Sequence, residues 1–141
     1  MRTDSEILRC QQRRPTFRTV PSNDWRALLR TRANLLVNGP TSALTAFAQM
    51  AQSEMREPIR SVCPPLPAFL GEVRTLIITD VAGLDRVDQR RLIAWLDERR
   101  NAGLQVVALA SPPLFSLVST NRFDTQLYYR LNTISLEIEA A

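Results

Sequence analysis

Histidine and lysine are both missing from the 141-residue chain. Without histidine there is no imidazole base, no histidine metal ligand and no serine–histidine triad. Without lysine, all 18 basic residues are arginines, and the net charge is +4. A phosphate-binding loop normally places a lysine ammonium, a compact point charge, on the β- and γ-phosphates. The chain can therefore offer no lysine-dependent nucleotide site.

Cysteine is scarce, and long apolar runs are absent. Cys10 and Cys63 are far apart and in no metal-ligand spacing, so we expect free thiols and no metal site. No apolar stretch approaches the roughly 20 residues that a membrane helix needs. Residues 1–6 have no signal-peptide pattern. We therefore expect a cytoplasmic protein without a membrane partner, and a chain of this length is enough for one domain with its own core.

Short apolar or β-branched runs alternate with helical patterns along the chain. They predict an α/β domain over residues 21–141, after an arginine-rich tail at residues 1–20. One helix is predicted to start within residues 21–24, where Ser22 or Asn23 can cap it and Asp24 falls in the first turn. Two more are predicted from about Thr45 to Met55 and from Asp85 to Arg100. Five mostly parallel strands are predicted near residues 35–38, 59–63, 75–79, 104–109 and 133–138.

The arginine-rich tail has two interpretations. Its basic side chains could attract the phosphates of a nucleic acid or an acidic partner; they are Arg2, Arg9, Arg13, Arg14 and Arg18. Alternatively it is a solvated arm, because a basic tail alone is a weak motif, and an arginine-rich composition also fits a GC-rich genome. A nucleic-acid partner therefore stays open.

The string FDTQLYYRLN at residues 123–132 resembles the FREDLYYRLN segment of the AAA+ ATPase domain in bacterial sigma-54 activators. The resemblance implies a P-loop AAA+ three-layer sandwich, here without the lid domain that follows in the family. In that family the segment lies at the subunit interface, and its arginines reach the ATP of the neighbouring subunit. Asp124 replaces the first interface arginine and Arg130 matches the second. Tyr128 and Tyr129 are predicted to be packing residues, and we assign Asp124, Tyr128 and Arg130 to the interface.

The phosphate-loop positions are largely changed. The family pattern G-E-x-G-T-G-K-E falls on residues 39–46, which retain the first glycine as Gly39. Ser42 and Leu44 replace the other two glycines, and Thr45 replaces the lysine. Backbone N–H groups of such a loop must point inward in conformations that side chains resist, so we expect Leu44 to close the loop. Gly39, Ser42 and Thr45 are interpreted as remnants of a nucleotide site.

Two further remnants lie at predicted strand ends. Asp80 matches the Walker B aspartate that helps to hold Mg²⁺ in the family, while Val81 replaces the glutamate that activates water. Ser111 stands in place of the sensor asparagine. Asp80 has the alternative interpretation of a helix cap or ion-pair partner, and Ser111 that of a strand-end turn.

The segment around Cys63 resembles the family sequence, but the segment that follows it is much shorter than in the family. Residues 57–67 resemble the second strand of the family, which predicts a buried structural thiol at Cys63. In the family a long insert follows and carries the loop that touches sigma-54. Here only residues 68–73 separate Pro67 from the next strand, so direct contact with sigma-54 is not expected.

These changes predict a pseudo-ATPase rather than an enzyme, with no cofactor beyond weak ATP or ADP binding. The preferred function is an interaction module in transcription regulation, with a second copy of the chain or an intact AAA+ activator as its partner. One alternative is a nucleotide sensor that uses Gly39, Thr45, Asp80 and Arg130. A second alternative is an arginine-driven nucleic-acid binder, and a third is a relic whose fold persists without a selected activity.

Overall fold

The computed structural model describes residues 24–111 and 113–138. Its strands are β1 (Leu35–Asn38), β2 (Ile59–Val62), β3 (Thr75–Ile78), β4 (Gln105–Ala110) and β5 (Ile134–Glu137). Each lies within one residue of the bounds predicted from sequence. The arginine-rich tail at residues 1–20 lies outside the described residues, and with it both of its interpretations, as a nucleic-acid contact and as a solvated arm.

Five helices connect or follow these strands. They are α1 (Asp24–Arg30), α2 (Thr41–Ala51), α3 (Arg86–Glu98), α4 (Leu114–Ser119) and α5 (Thr125–Leu131). Short 3-10 turns at Gln52–Glu54 and Val81–Gly83 complete the chain trace. Asp85 caps α3 by accepting a hydrogen bond from the backbone N–H of Asp88 (2.8 Å), which confirms the helix start predicted there. No helix in the described part of the chain is long and apolar enough to cross a membrane.

The five strands form one sheet in the order β2-β3-β4-β1-β5. All four pairings are parallel, so the sheet is wholly parallel where a mostly parallel one was predicted. Every residue of β3 and β4 is buried. Strands covered on both faces are expected to be continuously apolar, and the runs that predicted them are of this kind. The carboxyl ends of all five strands meet at one edge of the sheet.

Helices cover both faces of the sheet and give two cores. On one face, Leu92 of α3 and Leu127 of α5 pack against Leu76 and Ile78 of β3. On the other face, Trp25 of α1 and Phe47 of α2 pack against Ile77. The Trp25 and Phe47 rings meet edge to face, with their centroids 5.7 Å apart. This arrangement is the α/β three-layer sandwich that the sequence predicted.

A buried amide fixes the entry to α5. Gln89 of α3 is 2% exposed, and its Nε2 donates to the backbone oxygens of Leu84 (2.9 Å) and Arg122 (3.2 Å). Its Oε1 accepts from the backbone N–H of Asp124 (2.8 Å). Asp124 in turn caps α5 by accepting from the N–H of Leu127 (2.9 Å). One side chain thus ties three backbone groups together at the point where α5 begins.

Replacing Gln89 by leucine tests this role. The Gln89→Leu side chain is similar in size but leaves the buried backbone groups around it without their partner, so we expect the free energy of unfolding to fall by about 2–4 kcal/mol. Urea denaturation followed by circular dichroism measures the change. Gln126→Leu, at an exposed position of α5, is the matched control and should leave the midpoint unchanged. Equal midpoints for the two variants would show that the amide network contributes nothing.

Candidate functional site

The connection between β1 and α2 is only two residues long. Strand β1 ends at Asn38 and α2 begins at Thr41, which leaves Gly39 and Pro40 between them. The prediction that this helix begins near Thr45 is therefore wrong. Pro40 occupies the N-cap position with extended backbone angles (φ −63°, ψ 148°), and no glycine follows to keep the chain out of a helix. Ser42, which the resemblance assigned to a phosphate loop, lies in the first turn of α2.

The chain that follows β5 passes so close to Gly39 that it leaves no room for a side chain there. A Cβ atom at Gly39 would lie 2.6 Å from the backbone oxygen of Ile138 and 2.7 Å from its Cγ1, which is too close for any side chain. The Gly39 N–H donates to the backbone oxygen of Ala110 (3.2 Å). Leu44, at the third glycine position of the family pattern, is 5% exposed and packs into the core. Glycine is thus required at residue 39 for packing, and the positions after it are helical.

Three of the predicted remnants meet in one cavity at the carboxyl edge of the sheet. Thr45, Asp80 and Ser111 line a space of 560 Å³ between α2 and the ends of β2, β3 and β4. Gly39 lies instead on a second cavity of 530 Å³ that shares Ser111. Ser42 is exposed and lines neither cavity. The sequence therefore identified part of a real cavity, but not the phosphate loop that was expected to form its wall.

Four of the hydroxyl groups that line this cavity are hydrogen-bonded within the protein. Thr41 Oγ1 lies 3.2 Å from Ser111 Oγ, which bridges the start of α2 to the end of β4. Thr45 Oγ1 donates to the backbone oxygen of Thr41 (3.0 Å), and Thr79 Oγ1 donates to that of Val62 (3.2 Å). These contacts hold the wall of the cavity without any bound group.

Asp80 has a left-handed backbone conformation at the end of β3 (φ 53°, ψ 52°). Aspartate is one of the few residues that tolerate it. The carboxylate lies over Gly83, where an added Cβ would come 2.8 Å from Asp80 Oδ2. It makes no capping hydrogen bond to the turn that follows, and no hydrogen bond or ion pair joins it to any described residue. Neither alternative interpretation of Asp80, as a cap or as an ion-pair partner, is seen in the described chain.

The charge of the cavity is negative. Among the described residues, its lining includes one carboxylate and no arginine: Thr41, Leu44, Thr45, Ala48, Gln49, Gln52, Ser61, Thr79, Asp80, Leu109 and Ser111. Val81, which stands at the catalytic glutamate position of the family pattern, is completely buried in the core. Within the described residues no cluster of three or more acidic or cysteine side chains could hold a metal ion. An anionic phosphate placed here would face a carboxylate without a compensating cation.

The second group of predicted residues lies on α5. Arg130 Nη1 is 2.5 Å from Asp97 Oδ1 of α3, and Arg100 Nη2 is 3.0 Å from the same oxygen. Hydrogen bonds from these two guanidinium groups, with that of Arg130 the larger cause, lower the pKa of Asp97. Asn34 Nδ2 donates to the backbone oxygen of Arg130 (2.9 Å). Arg130 is thus held against its own domain, and Asp124 acts as the cap of α5.

An exposed cluster of aromatic rings lies beside Arg130; we call it the aromatic patch, formed by Phe115, Tyr128 and Tyr129. The Tyr128 ring centroid is 6.0 Å from that of Phe115 and 5.3 Å from that of Tyr129. Phe115 is 59% exposed and Tyr129 is 65% exposed, so the prediction that Tyr129 is a packing residue is wrong. Consecutive helical residues are about 100° apart, so two adjacent tyrosines cannot both lie at the centre of a buried face, and this spacing could have indicated the patch.

The segment between β2 and β3 folds back onto α3. Asp88 Oδ2 accepts from the backbone N–H of Leu66 (2.8 Å), and Arg91 Nη2 donates to the backbone oxygen of Pro67 (2.5 Å). Leu66 is buried, which fastens the chain here. Cys63 is exposed, so the prediction of a buried thiol is wrong. The physical reason is that β2 is an edge strand that ends at Val62, one residue before the cysteine.

Solved structures with a similar fold include two nucleotide complexes. NtrX from Brucella abortus in complex with ADP superposes with a TM-score of 0.63 at 15% identity, covering 86% of this chain and 37% of that one. NtrX in complex with ATP gives a TM-score of 0.67 at 14% identity, covering 81% and 35%. The P-loop NTPase domain of a sigma-54 transport activator from E. coli gives 0.55 at 16% identity, covering 84% and 96%. The chain therefore spans about a third of the NtrX chain, and identities this low establish the fold alone.

Sequence comparison identifies the family. No curated protein matches the chain. The family model described as the sigma-54 interaction domain matches residues 30–140, which include every described strand and every described helix except α1. The chain therefore belongs to the sigma-54 interaction domain family.

Proposed function

We propose that this chain is a non-catalytic member of an ATPase family that regulates transcription through protein contacts. The observation that carries the proposal is the two-residue connection between β1 and α2. A phosphate cradle needs a loop whose backbone N–H groups surround the phosphates, and here the corresponding residues are helical. Their N–H groups are directed along the helix axis instead of around a ligand.

The remaining catalytic positions support the same proposal. Thr45 stands where the lysine is needed, Val81 is buried where the general base is needed, and Asp124 caps a helix where an interface arginine is needed. The loss of one such group typically slows catalysis by a factor of about a hundred or more. ATP hydrolysis is therefore not part of the proposed function.

The aromatic patch is the surface that we assign to partner binding. Aromatic side chains supply many of the energetic hot spots of protein interfaces, because they bury large areas at low conformational cost. The patch lies on α4 and α5, and α5 is fastened at both ends by Gln89 and by the Arg130–Asp97 ion pair. A rigid exposed surface loses little entropy when it binds.

The partner that we propose is a second copy of this chain or an intact AAA+ activator. Either partner shares the fold and would therefore present the surface that fits the aromatic patch. Direct contact with sigma-54 is not included, because the segment between β2 and β3 is fastened to α3 by Asp88 and Arg91. Such a regulator would act in the cytoplasm, where the bacterial polymerase is. Nucleic-acid binding through residues 1–20 remains a prediction outside the described structure.

Restoring the lysine should not restore nucleotide binding. We expect Thr45→Lys to give no detectable heat with Mg-ATP or ADP at about 1 mM nucleotide in isothermal calorimetry, because the charge returns without the loop. Gln49→Lys, which adds the same charge about one turn further along α2, is the matched control. Micromolar binding by Thr45→Lys but not by Gln49→Lys would mean that the loop can form, and the chain would then be a nucleotide sensor.

Removing an exposed ring should weaken association. We expect Tyr129→Ala to raise the dissociation constant for the partner about tenfold or more, since an interface tyrosine of this kind commonly contributes over 1 kcal/mol. Sedimentation velocity measures self-association, and biolayer interferometry measures binding to an intact activator. Phe69→Ala removes a 73% exposed ring from the segment between β2 and β3 and serves as the control.

The two variants separate interface effects from general stickiness. Equal losses for Tyr129→Ala and Phe69→Ala would point to non-specific association. Absence of both self-association and activator binding in the unaltered chain would exclude the proposed function. Circular dichroism should be unchanged in both variants because each side chain is mostly exposed.

A further inference from the structure

We propose that the 560 Å³ cavity at the carboxyl edge of the sheet binds a small organic cation, an amine or guanidinium on a short aliphatic stem. This proposal goes beyond the function proposed above and does not depend on it. The volume of the cavity is within the range of small-molecule sites, roughly 300–1,000 Å³. The chemistry of the lining determines the class of ligand.

The charge of the lining favours a cation. Among the described residues that line the cavity, Asp80 has the only charged side chain, and Asp80 is exposed to solvent. No hydrogen bond or ion pair with any described residue engages its carboxylate. An unengaged carboxylate beside a cavity attracts a positive group and repels a phosphate.

The hydrogen-bonding capacity of the wall points the same way. The hydroxyls of Thr45 and Thr79 each donate their hydrogen to a backbone oxygen, and those of Thr41 and Ser111 are paired with each other. Only the lone pairs of the Thr45 and Thr79 oxygens remain for a ligand, because a hydroxyl has one hydrogen to donate. Ser61 and the amides of Gln49 and Gln52 add neutral donors as well as acceptors. Together with the carboxylate of Asp80, these acceptors suit a ligand with several N–H groups.

The apolar part of the lining accommodates a short stem. Leu44, Ala48 and Leu109 contribute aliphatic surface on the side of α2 and β4. A chain of a few methylene groups would lie against these side chains while its charged end reaches Asp80. A strongly polar ligand without such a stem would leave this surface uncovered.

A pair of isosteric probes tests the charge directly. Butylguanidine is cationic and butylurea is neutral, and the two have nearly the same shape. We expect isothermal calorimetry at fixed ionic strength to detect butylguanidine binding at least about tenfold tighter than butylurea binding. Asp80→Asn, in which asparagine also tolerates the left-handed conformation, should lower butylguanidine affinity by a similar factor. Glu57→Gln, at an exposed carboxylate outside the cavity, is the matched control and should bind as the unaltered chain does.

A second variant tests the cavity independently of its charge. Ala48→Leu fills the space beside α2 while keeping Asp80, and it should also weaken butylguanidine binding about tenfold. If Asp80→Asn fails to fold, Ala48→Leu still tests whether butylguanidine binds in this cavity. Equal affinity for the two probes, equal affinity in the unaltered chain and both cavity variants, or no binding of butylguanidine would each overturn the proposal. Displacement of butylguanidine by ADP without magnesium would overturn it as well, because the cavity would then prefer an anion.

Discussion

The short passage from β1 into α2 is the constraint on which the rest of the structure depends. Strand β1 lies between β4 and β5, so the chain leaves the sheet at its interior and must turn at once over the carboxyl edge. Gly39 makes this turn possible because the backbone of Ile138 passes within 2.6 Å of where its Cβ would be. Helix α2 then covers the sheet from its first turn, and its inner side chains form one wall of the main cavity. The same geometry that packs the domain thus removes the loop on which nucleotide binding depends.

Helix α5 is positioned by contacts that require no nucleotide. Gln89 fixes its start through three backbone hydrogen bonds, and Asn34 and Asp97 hold its end through Arg130. This surface is held in place by internal bonds of the domain. The partner binding proposed above would therefore not depend on a bound nucleotide.

The strands could be predicted from the sequence because a strand that is buried on both faces of the sheet has an uninterrupted run of apolar residues. The resemblance added the topology, since FDTQLYYRLN identified a fold with a defined strand order. Local patterns were less informative where a tertiary contact intervenes. The sequence prediction starts α2 too late because it follows the gapless match to the phosphate loop of the family. No helix-breaking residue lies between Thr41 and Thr45 to support that later start. The predictions of burial for Cys63 and Tyr129 are wrong because a residue that matches the family pattern does not reveal its exposure. Exposure depends on whether a strand lies at the edge of the sheet and on which side of a helix faces solvent.

The state of Asp80 could not have been predicted from sequence at all, since it depends on which side chains do not reach it. In a phosphate site, an aspartate at the end of this strand is balanced by a bound metal ion, a lysine and an arginine from a neighbour. Two of those cations are missing here or engaged elsewhere: the chain has no lysine, and Arg130 is paired with Asp97. The carboxylate is exposed beside the cavity, and no basic side chain of the described residues is paired with it. A carboxylate without a compensating cation attracts positive groups and repels phosphate. The sequence changes that we propose to prevent phosphate binding would therefore also shift the electrostatic preference of the cavity from anions to cations.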